Sequence, residues 1–491
     1  MPAKKTISLL VKMHAALCAI LLIASVTAAA AGGLVKNASG AGEQAKTTAQ
    51  TPGPSAGSSA KADSGYVIDS LDSAALQAVA NQATNTLPSC SHSQNGGWVT
   101  DSTTLQVMRE CMLMVPEEGW VLIRADASVG LLNEEYEAHF TIGIEGTPQT
   151  DTDRHVNVYK DLPGDGTDEN VAISVLKPVT PGSHIFSFMA RRILGTGSVM
   201  VWDPSLSVVF LPAAKKVCSA SGDLFWPSYS GAFEPVRQCT MDIPEEGWVL
   251  IMADSSLGRI NGEYEAEFSI GIDSTGGNPD FERWVNIYDD VWSDGTDKVM
   301  ALSALQPIKA GTHTFNLLAR HRNGAGMVLL HDPTLSVVFL PSKRMLCTDS
   351  GNFTWQTISG EPQVIRQCTL EMPVTNGLVL ITADSTVANW NGEYEAQFGL
   401  EVDGGGEELV VNDRFVNIYN DPAGDGTDKN MALSMLKELG QGTHTFTLLG
   451  RRYGGSGTVA LYDPSLSVVA LVWQDDFPWP LFLPTIINGK P

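Results

Sequence analysis

One segment of about 125 residues occurs three times in this chain of 491 residues, and no single motif constrains the fold as strongly. The copies open at Cys90, Cys218 and Cys347. In each copy the words Glu-Tyr-Glu-Ala and Asp-Gly-Thr-Asp follow in the same order. The period is much longer than that of a solenoid or propeller repeat, so we expect each copy to be a domain. Because one chain rarely carries three copies of a catalytic centre, the repetition favours a binding or structural protein.

Composition and repetition divide the chain into six segments. Small and polar residues dominate the stretch before the first repeat, which predicts a flexible linker containing one short helix. The predicted segments are a signal peptide at 1–31, the linker at 32–87, repeat 1 at 88–213, repeat 2 at 214–342, repeat 3 at 343–472, and a tail rich in proline and aromatic residues at 473–491.

The N-terminal sequence is typical of an export signal. Lys4, Lys5 and Lys12 supply positive charge, residues 15–26 are apolar, and the alanines at 28–31 offer a cleavage site. The alternative is an uncleaved membrane anchor, because the apolar stretch approaches the length of a span. Both interpretations predict a secreted or cell-surface protein.

Six cysteines outside this signal form three pairs, each separated by 21 positions. Too few other ligands lie nearby for a zinc site, and an exported chain meets an oxidising compartment. The sequence therefore predicts one disulfide within each repeat, namely Cys90–Cys111, Cys218–Cys239 and Cys347–Cys368.

The chain is strongly acidic, with 31 Lys and Arg against 55 Asp and Glu and a net charge of -24 at pH 7. This charge repels nucleic acids and anionic membrane surfaces, and it is compatible with divalent cations. We therefore expect no nucleic-acid partner, no membrane contact beyond the signal segment, and an extracellular protein or glycan as partner.

The repeats show the period of β-strands. In repeat 2, Tyr264, Ala266 and Phe268 alternate with Glu265 and Glu267, and Asn-Gly and Asp-Gly turns separate such stretches. Many short strands with regular turns predict an all-β protein of three tandem antiparallel β-sandwich domains. Joints of about five residues limit motion between domains, so we expect a rigid arrangement such as a row.

The end of each repeat resembles a known fold. Residues 311–315 (Gly-Thr-His-Thr-Phe), followed by residues 337–341 (Val-Val-Phe-Leu-Pro), resemble the last strands of jelly-roll domains, as in C1q/TNF-like modules and in phage or bacterial surface proteins. The resemblance implies jelly-roll sandwiches. Since such modules trimerise, it also implies the alternative to a row, a compact pseudo-threefold cluster in which three linked copies replace three chains.

The Asp-Gly-Thr-Asp loops are the best candidate site in the sequence. A further aspartate precedes each loop by four positions, so each copy offers three carboxylates for a calcium ion, which takes six to eight oxygens. The acidic positions do not follow the EF-hand pattern, and the alternative is a plain Asp-Gly turn. Asn170 and Asn430 could add a ligand where repeat 2 has Val299, which predicts the weakest binding there. The candidate metal ligands are Asp161, Asp165, Asp168, Asp290, Asp294, Asp297, Asp421, Asp425 and Asp428.

Other polar residues that could take part in catalysis or metal binding are predicted to have structural roles. The alternation predicts that His184, His313 and His444 are hydrogen-bonded core residues. Glu263 and Glu265 are expected at a solvated strand edge, because a glycosidase pair needs a cleft and two separated environments. No nucleophile motif is visible in the sequence.

These observations predict a secreted, non-enzymatic structural or adhesion protein that acts as a spacer or an adhesive array. The alternative is a carbohydrate-binding, lectin-like protein, with or without calcium, that uses loop aromatics. A hydrolase is the third hypothesis. The aromatic candidates for sugar stacking are Trp226, Trp292, Trp355 and Trp390.

Overall fold

The computed structural model describes most of the three repeats. The signal segment, the linker and the C-terminal tail lie outside the described residues, as do parts of several loops. The two helical segments in the described part are three residues long, far short of a membrane span. The described ranges are 87–93, 95–159, 168–258, 262–288, 297–341, 345–373, 377–404, 413–419 and 428–471.

Strands account for most of each repeat. In repeat 1 they are β1 Ser89–Ser93, β2 Gly97–Thr100, β3 Gln106–Val115, β4 Gly119–Gly130, β5 Tyr136–Ile144, β6 Thr147–Pro148, β7 Arg154–Val158, β8 Glu169–Val179, β9 Gly182–Gly195 and β10 Val199–Pro212. In repeat 2 they are β11 Val217–Ala220, β12 Phe225–Ser228, β13 Glu234–Ile243, β14 Gly247–Leu257, β15 Tyr264–Ile272, β16 Arg283–Ile287, β17 Lys298–Ile308, β18 Gly311–Gly324 and β19 Val328–Pro341. In repeat 3 they are β20 Leu346–Asp349, β21 Thr354–Thr357, β22 Gln363–Met372, β23 Gly377–Ala388, β24 Tyr394–Val402, β25 Arg414–Ile418, β26 Asp428–Leu439, β27 Gly442–Gly455 and β28 Val459–Ala470. Short 3₁₀ helices span Thr150–Thr152 and Pro279–Phe281.

All three repeats share one topology. The first sheet has the order β1-β10-β4-β8, β11-β19-β14-β17 or β20-β28-β23-β26, and the second has β3-β9-β5-β7, β13-β18-β15-β16 or β22-β27-β24-β25. The short strands β2, β12 and β21 also pair with the last strand of their repeat, and β6 pairs with β5. Two antiparallel four-stranded sheets connected in this order form a jelly roll. The predicted β-sandwich class is confirmed, and the topology supports the jelly roll without singling out the C1q/TNF-like branch.

The two sheets of each sandwich differ in burial. In β4 of the first sheet every residue except Trp120 is buried, whereas β3 of the second sheet alternates between buried and exposed residues. A strand buried on both faces reads as a continuous apolar run, and a strand with one solvated face reads as an alternation. One face of the first sheet therefore packs inside its own sandwich, and the other packs against neighbouring repeats.

Two apolar clusters join the three repeats. One combines corresponding leucines of the three first sheets, Leu122, Leu250 and Leu380, with valines and leucines from the ends of β10, β19 and β28. The other consists of three corresponding alanines, Ala172, Ala301 and Ala432. Small side chains at these positions allow three strands to approach one another closely.

A buried ion pair recurs at each contact between repeats. Arg154 of repeat 1 pairs with Asp254 of repeat 2, with 2.9 Å from Nε to Oδ1, and the Arg283 to Asp384 distance between repeats 2 and 3 is 2.7 Å. Arg414 of repeat 3 pairs with Asp126 of repeat 1, so the contacts close a ring. All six side chains are at most 2% exposed.

Backbone hydrogen bonds repeat the same cycle. The residue after each arginine donates its backbone N–H to a hydroxyl on the next repeat, at a distance of 2.8 Å. The three bonds are His155 to Ser256 Oγ, Trp284 to Thr386 Oγ1 and Phe415 to Ser128 Oγ. These bonds fix the register between neighbouring repeats.

Arg124 interrupts the threefold pattern of the ring. It stands where the other repeats have Met252 and Thr382, it is only 4% exposed, and its charge interacts with all three ring aspartates. Burial lowers the pKa of Arg124 despite those aspartates. The folded protein therefore disfavours this fourth positive charge, since three arginines already balance the three carboxylates.

Replacing Arg124 with methionine is expected to stabilise the protein by about 1–3 kcal/mol, because a buried surplus charge becomes an apolar side chain that repeat 2 already carries there. Chemical denaturation of the wild type and of Arg124→Met measures the change. Met252→Leu is the control for repacking at the equivalent position. A loss of stability in Arg124→Met would show that its charge is needed by the ring.

The three disulfides predicted from the cysteine spacing are present. Cys90–Cys111, Cys218–Cys239 and Cys347–Cys368 each join the first strand of one sheet to the first strand of the other. Each closes a loop spanning 21 positions within a single sandwich.

Removing one disulfide with Cys218→Ser/Cys239→Ser is expected to cost about 3 kcal/mol, the loop-closure entropy that the bond removes from the unfolded chain. The strand content should persist, because a domain of this size buries a core of its own. Thermal melting followed by far-UV circular dichroism tests both points. Loss of the β-sheet spectrum at 25 °C would contradict the expectation.

Candidate functional site

The described residues include one aspartate from each predicted calcium loop. Asp168, Asp297 and Asp428 lie at the starts of β8, β17 and β26. The other six candidates lie outside the described residues, so calcium binding by the loops stays a prediction. These six are Asp161, Asp165, Asp290, Asp294, Asp421 and Asp425.

The ends of these loops contact a neighbouring repeat. The carbonyl oxygen of Asp297 accepts a hydrogen bond of 3.1 Å from the backbone N–H of Asn157 in repeat 1. The carbonyl oxygen of Asp168 accepts bonds of 3.3 Å from the N–H of Asn417 and 3.1 Å from Nζ of Lys429, both in repeat 3. The last aspartate of the motif therefore belongs to the boundary between repeats.

The two repeated motifs, Glu-Tyr-Glu-Ala and Asp-Gly-Thr-Asp, meet at this boundary. Asp297 lies with Glu137 and His155 of repeat 1, so that one ligand atom from each is within 4.8 Å of the others. Asp428 hydrogen-bonds to Glu265 of repeat 2. The second glutamate of Glu-Tyr-Glu-Ala thus faces the last aspartate of Asp-Gly-Thr-Asp on the next repeat.

The pair between repeats 2 and 3 is electrostatically strained. Burial, and then the charge of Glu265, raise the pKa of Asp428 to about 7, against the attraction of Lys298 and Arg322. Arg322 also holds Glu265 through an ion pair of 2.8 Å. Near neutral pH these two carboxylates therefore share a proton.

This pair does not resemble a glycosidase site. Glu265 and Asp428 interact directly and raise each other's cost of ionisation, whereas glycosidase carboxylates stand at least about 5 Å apart to admit the sugar carbon. The side chain of Glu265 is only 14% exposed, so the expected solvated strand edge is wrong for this residue. Its burial comes from the neighbouring repeat, which the alternation within a single strand cannot reveal.

The side-chain amides of Asn170 and Asn430 hydrogen-bond to the backbone of neighbouring strands and of neighbouring repeats. Asn170 donates to the carbonyl of Ala127 and accepts from the N–H of Ala432 in repeat 3 at 2.9 Å. Asn430 in the same way accepts from the N–H of Ala301 in repeat 2, also at 2.9 Å. Each amide oxygen thus accepts a hydrogen bond from a neighbouring repeat, and calcium ligation by these amides, with weaker binding in repeat 2, stays a prediction.

The three recurring histidines are hydrogen-bonded, but they lie at the surface of the sandwich instead of in its core. Nδ1 of His313 is 2.6 Å from the carboxylate of Asp273, and Nε2 is 2.9 Å from the carbonyl oxygen of Lys309. His184 and His444 make the same pair of contacts, with Glu145 and Asp403 as the acids. Since each acid has a positive φ near 50°, the histidine holds a left-handed turn.

Two of the four candidate tryptophans offer little surface for sugar stacking. Trp355 is 9% exposed within the core of repeat 3 and donates Nε1–H to a backbone carbonyl, and Trp226 packs against the core of repeat 2. Trp390 is 53% exposed, and Trp292 lies outside the described residues.

Comparisons with known proteins show only distant similarity. No protein-family model and no curated protein matches the chain. A structure of Sulfolobus turreted icosahedral virus matches with 9% identity and a TM-score of 0.16, covering 78% of this chain and 91% of that one. A structure of the infectious bursal disease virus Gx strain matches with 10% identity and a TM-score of 0.18, covering 79% of this chain and 82% of that one. Scores this low carry no argument about assembly or function, so the jelly-roll assignment rests on the strand order of this chain.

Proposed function

We propose that this chain is an exported, non-enzymatic structural or adhesion protein of the cell surface or extracellular matrix. One polypeptide would supply a preassembled ring of three jelly rolls, ready to meet an extracellular protein or glycan. The observation that carries the proposal is the cycle of buried pairs Arg154–Asp254, Arg283–Asp384 and Arg414–Asp126. Charged residues that recur in every repeat are used to join repeats, which suits a mechanical element better than a catalyst.

The three disulfides support an extracellular location. Disulfides persist in oxidising compartments and are rare in the cytosol. Each sandwich carries one, and none of the six cysteines is left as a thiol. Such a protein keeps its shape outside the cell.

Fractionation of cells that produce the protein tests this function. We expect the chain in the medium or on the cell surface, where added protease reaches it. Its disulfide cysteines should react with a thiol reagent only after reduction. Reduced protein retained in the cytosol would contradict the proposal. Hydrolysis of polysaccharides that Glu265→Gln abolishes would instead favour an enzyme, and glycan binding that Trp390→Ala abolishes would favour a lectin.

Small-angle scattering tests the preassembled ring. The residues described predict one compact particle, because each repeat contacts both others through buried side chains. A scattering profile typical of three sandwiches on flexible joints would contradict it. The full chain should be compared with Arg283→Met, which breaks one contact in the ring.

Calcium remains a proposed ligand of the acidic loops. If calcium binds the folded chain, millimolar calcium should raise the melting temperature by mass action. Asp290→Asn/Asp294→Asn should remove the part of this rise that comes from repeat 2. Glu246→Gln, at an exposed turn of the same repeat, is the matched control. If calcium leaves the melting curve unchanged and calorimetry shows no heat of binding, the acidic loops are plain turns that do not bind calcium.

A further inference from the structure

The boundary between repeats 1 and 2 differs from its two counterparts in chemistry. At the boundary between repeats 2 and 3, Trp284 packs against Tyr462 with ring centroids 5.0 Å apart. The residues at these two positions are Phe415 and Trp202 between repeats 3 and 1, but His155 and His331 between repeats 1 and 2. Two histidines thus replace a pair of larger aromatic side chains at one of the three boundaries between repeats.

These histidines lie beside two carboxylates. Nδ1 of His155 is 3.0 Å from Oε1 of Glu137, and the potential ligand atoms of Glu137, His155 and Asp297 lie within 4.8 Å of one another. A β-carbon placed on Gly258 would be 2.9 Å from Oδ1 of Asp297 and 3.3 Å from Nε2 of His331. Asp297 and His331 therefore face the same small space from repeat 2.

The arginine that pairs with a carboxylate at the neighbouring boundary is replaced by an apolar residue at this one. Arg322 pairs with Glu265 at 2.8 Å between repeats 2 and 3, and the equivalent residue of repeat 1 is Ile193. At this boundary the carboxylates of Glu137 and Asp297 lie close to imidazole nitrogens.

We propose that Glu137 and His155 of repeat 1, with Asp297 and His331 of repeat 2, bind a divalent transition-metal ion of the zinc class. Imidazole and carboxylate donors together suit Zn²⁺ and its neighbours, whereas calcium takes oxygen ligands alone. Two ligands come from each repeat, so the ion fastens one boundary of the ring. Glu137, His155 and Asp297 are within reach of one ion, and His331, which faces the same space, would supply the fourth ligand of a structural tetrahedral site.

The site is tested on the full chain after treatment with a chelator. Calorimetric titration with Zn²⁺ should show one ion per chain, and Co²⁺ should give the visible absorption bands of a tetrahedral site. His155→Phe and His331→Tyr should each weaken the affinity by about 100-fold or more, since replacing even residues behind the ligands costs 10–100-fold. Both variants carry a residue that another repeat has at the same place, so their packing should persist.

Matched controls separate this site from general metal capture. His92→Gln removes an exposed histidine of β1 and should leave the affinity unchanged. Asp290→Asn/Asp294→Asn should leave zinc binding intact, and excess calcium should not displace the ion. Absence of binding at about 100 μM Zn²⁺, a concentration far above the dissociation constants of structural zinc sites, would overturn the proposal. So would unchanged affinity in His155→Phe and His331→Tyr when circular dichroism shows both folded.

Discussion

Replacing Arg283 with methionine is expected to lower the free energy of unfolding by about 3–5 kcal/mol, because Asp384 is left buried without its partner. Asp384 also accepts bonds from Ser303, with 2.9 Å from the backbone nitrogen, so it cannot turn out to solvent without breaking them. Urea denaturation monitored by fluorescence measures the change. It is the largest single-residue effect that we expect in the chain.

Two further variants show whether the unpaired charge causes the loss. Arg283→Met/Asp384→Asn should recover a large part of the stability, because the amide keeps an acceptor for Ser303 without the charge. Arg366→Met breaks a pair with the partly exposed Asp349 and two bonds to backbone carbonyls, and it should cost less than Arg283→Met because it leaves no buried charge unpaired. If Arg283→Met cost no more than Arg366→Met, the buried ring would not hold the repeats together.

Asp428→Asn is expected to stabilise the protein at pH 8 and to have little effect at pH 4. Burial and Glu265 raise the pKa of Asp428 to about 7, so the folded state binds a proton that the unfolded state releases near pH 4. Its favourable contribution is complete below pH 4 and is lost as the pH rises through 7. At pH 8 this loss amounts to at most about 4 kcal/mol.

Denaturation of both proteins at several pH values, with chelator present, measures this difference. The amide that Asp428→Asn introduces could donate to Glu265 as the protonated acid does, so the advantage of the variant should grow between pH 4 and 8. Asp403→Asn is a control of opposite sign, because contacts with His444 and Thr445 lower the pKa of Asp403. That variant should be the less stable protein at pH 6. A stability difference independent of pH in Asp428→Asn would contradict the shared proton.

Part of the candidate site could be found from sequence. Asp126, Asp254 and Asp384 interrupt apolar strands at the same place in each repeat, and an acid in such a run signals a buried partner. The partner itself could not be found, because Arg154 and Asp254 lie 100 residues apart on different repeats. In the same way, repetition singled out Glu265 and Asp428 without showing that they meet.

The periodicity of the chain alone determined its class. Alternation and turns depend on neighbours within a strand or a hairpin, so the strands of repeat 2 and the pairing of Cys218 with Cys239 could be predicted from local order. The tertiary structure decided which surfaces the repeats share. Five-residue joints permit a row or a ring, and only the fit of three first sheets around Ala172, Ala301 and Ala432 brings repeat 3 back to repeat 1. Packing between distant segments depends on shape and on the burial of charge, and the order of residues along one strand contains neither.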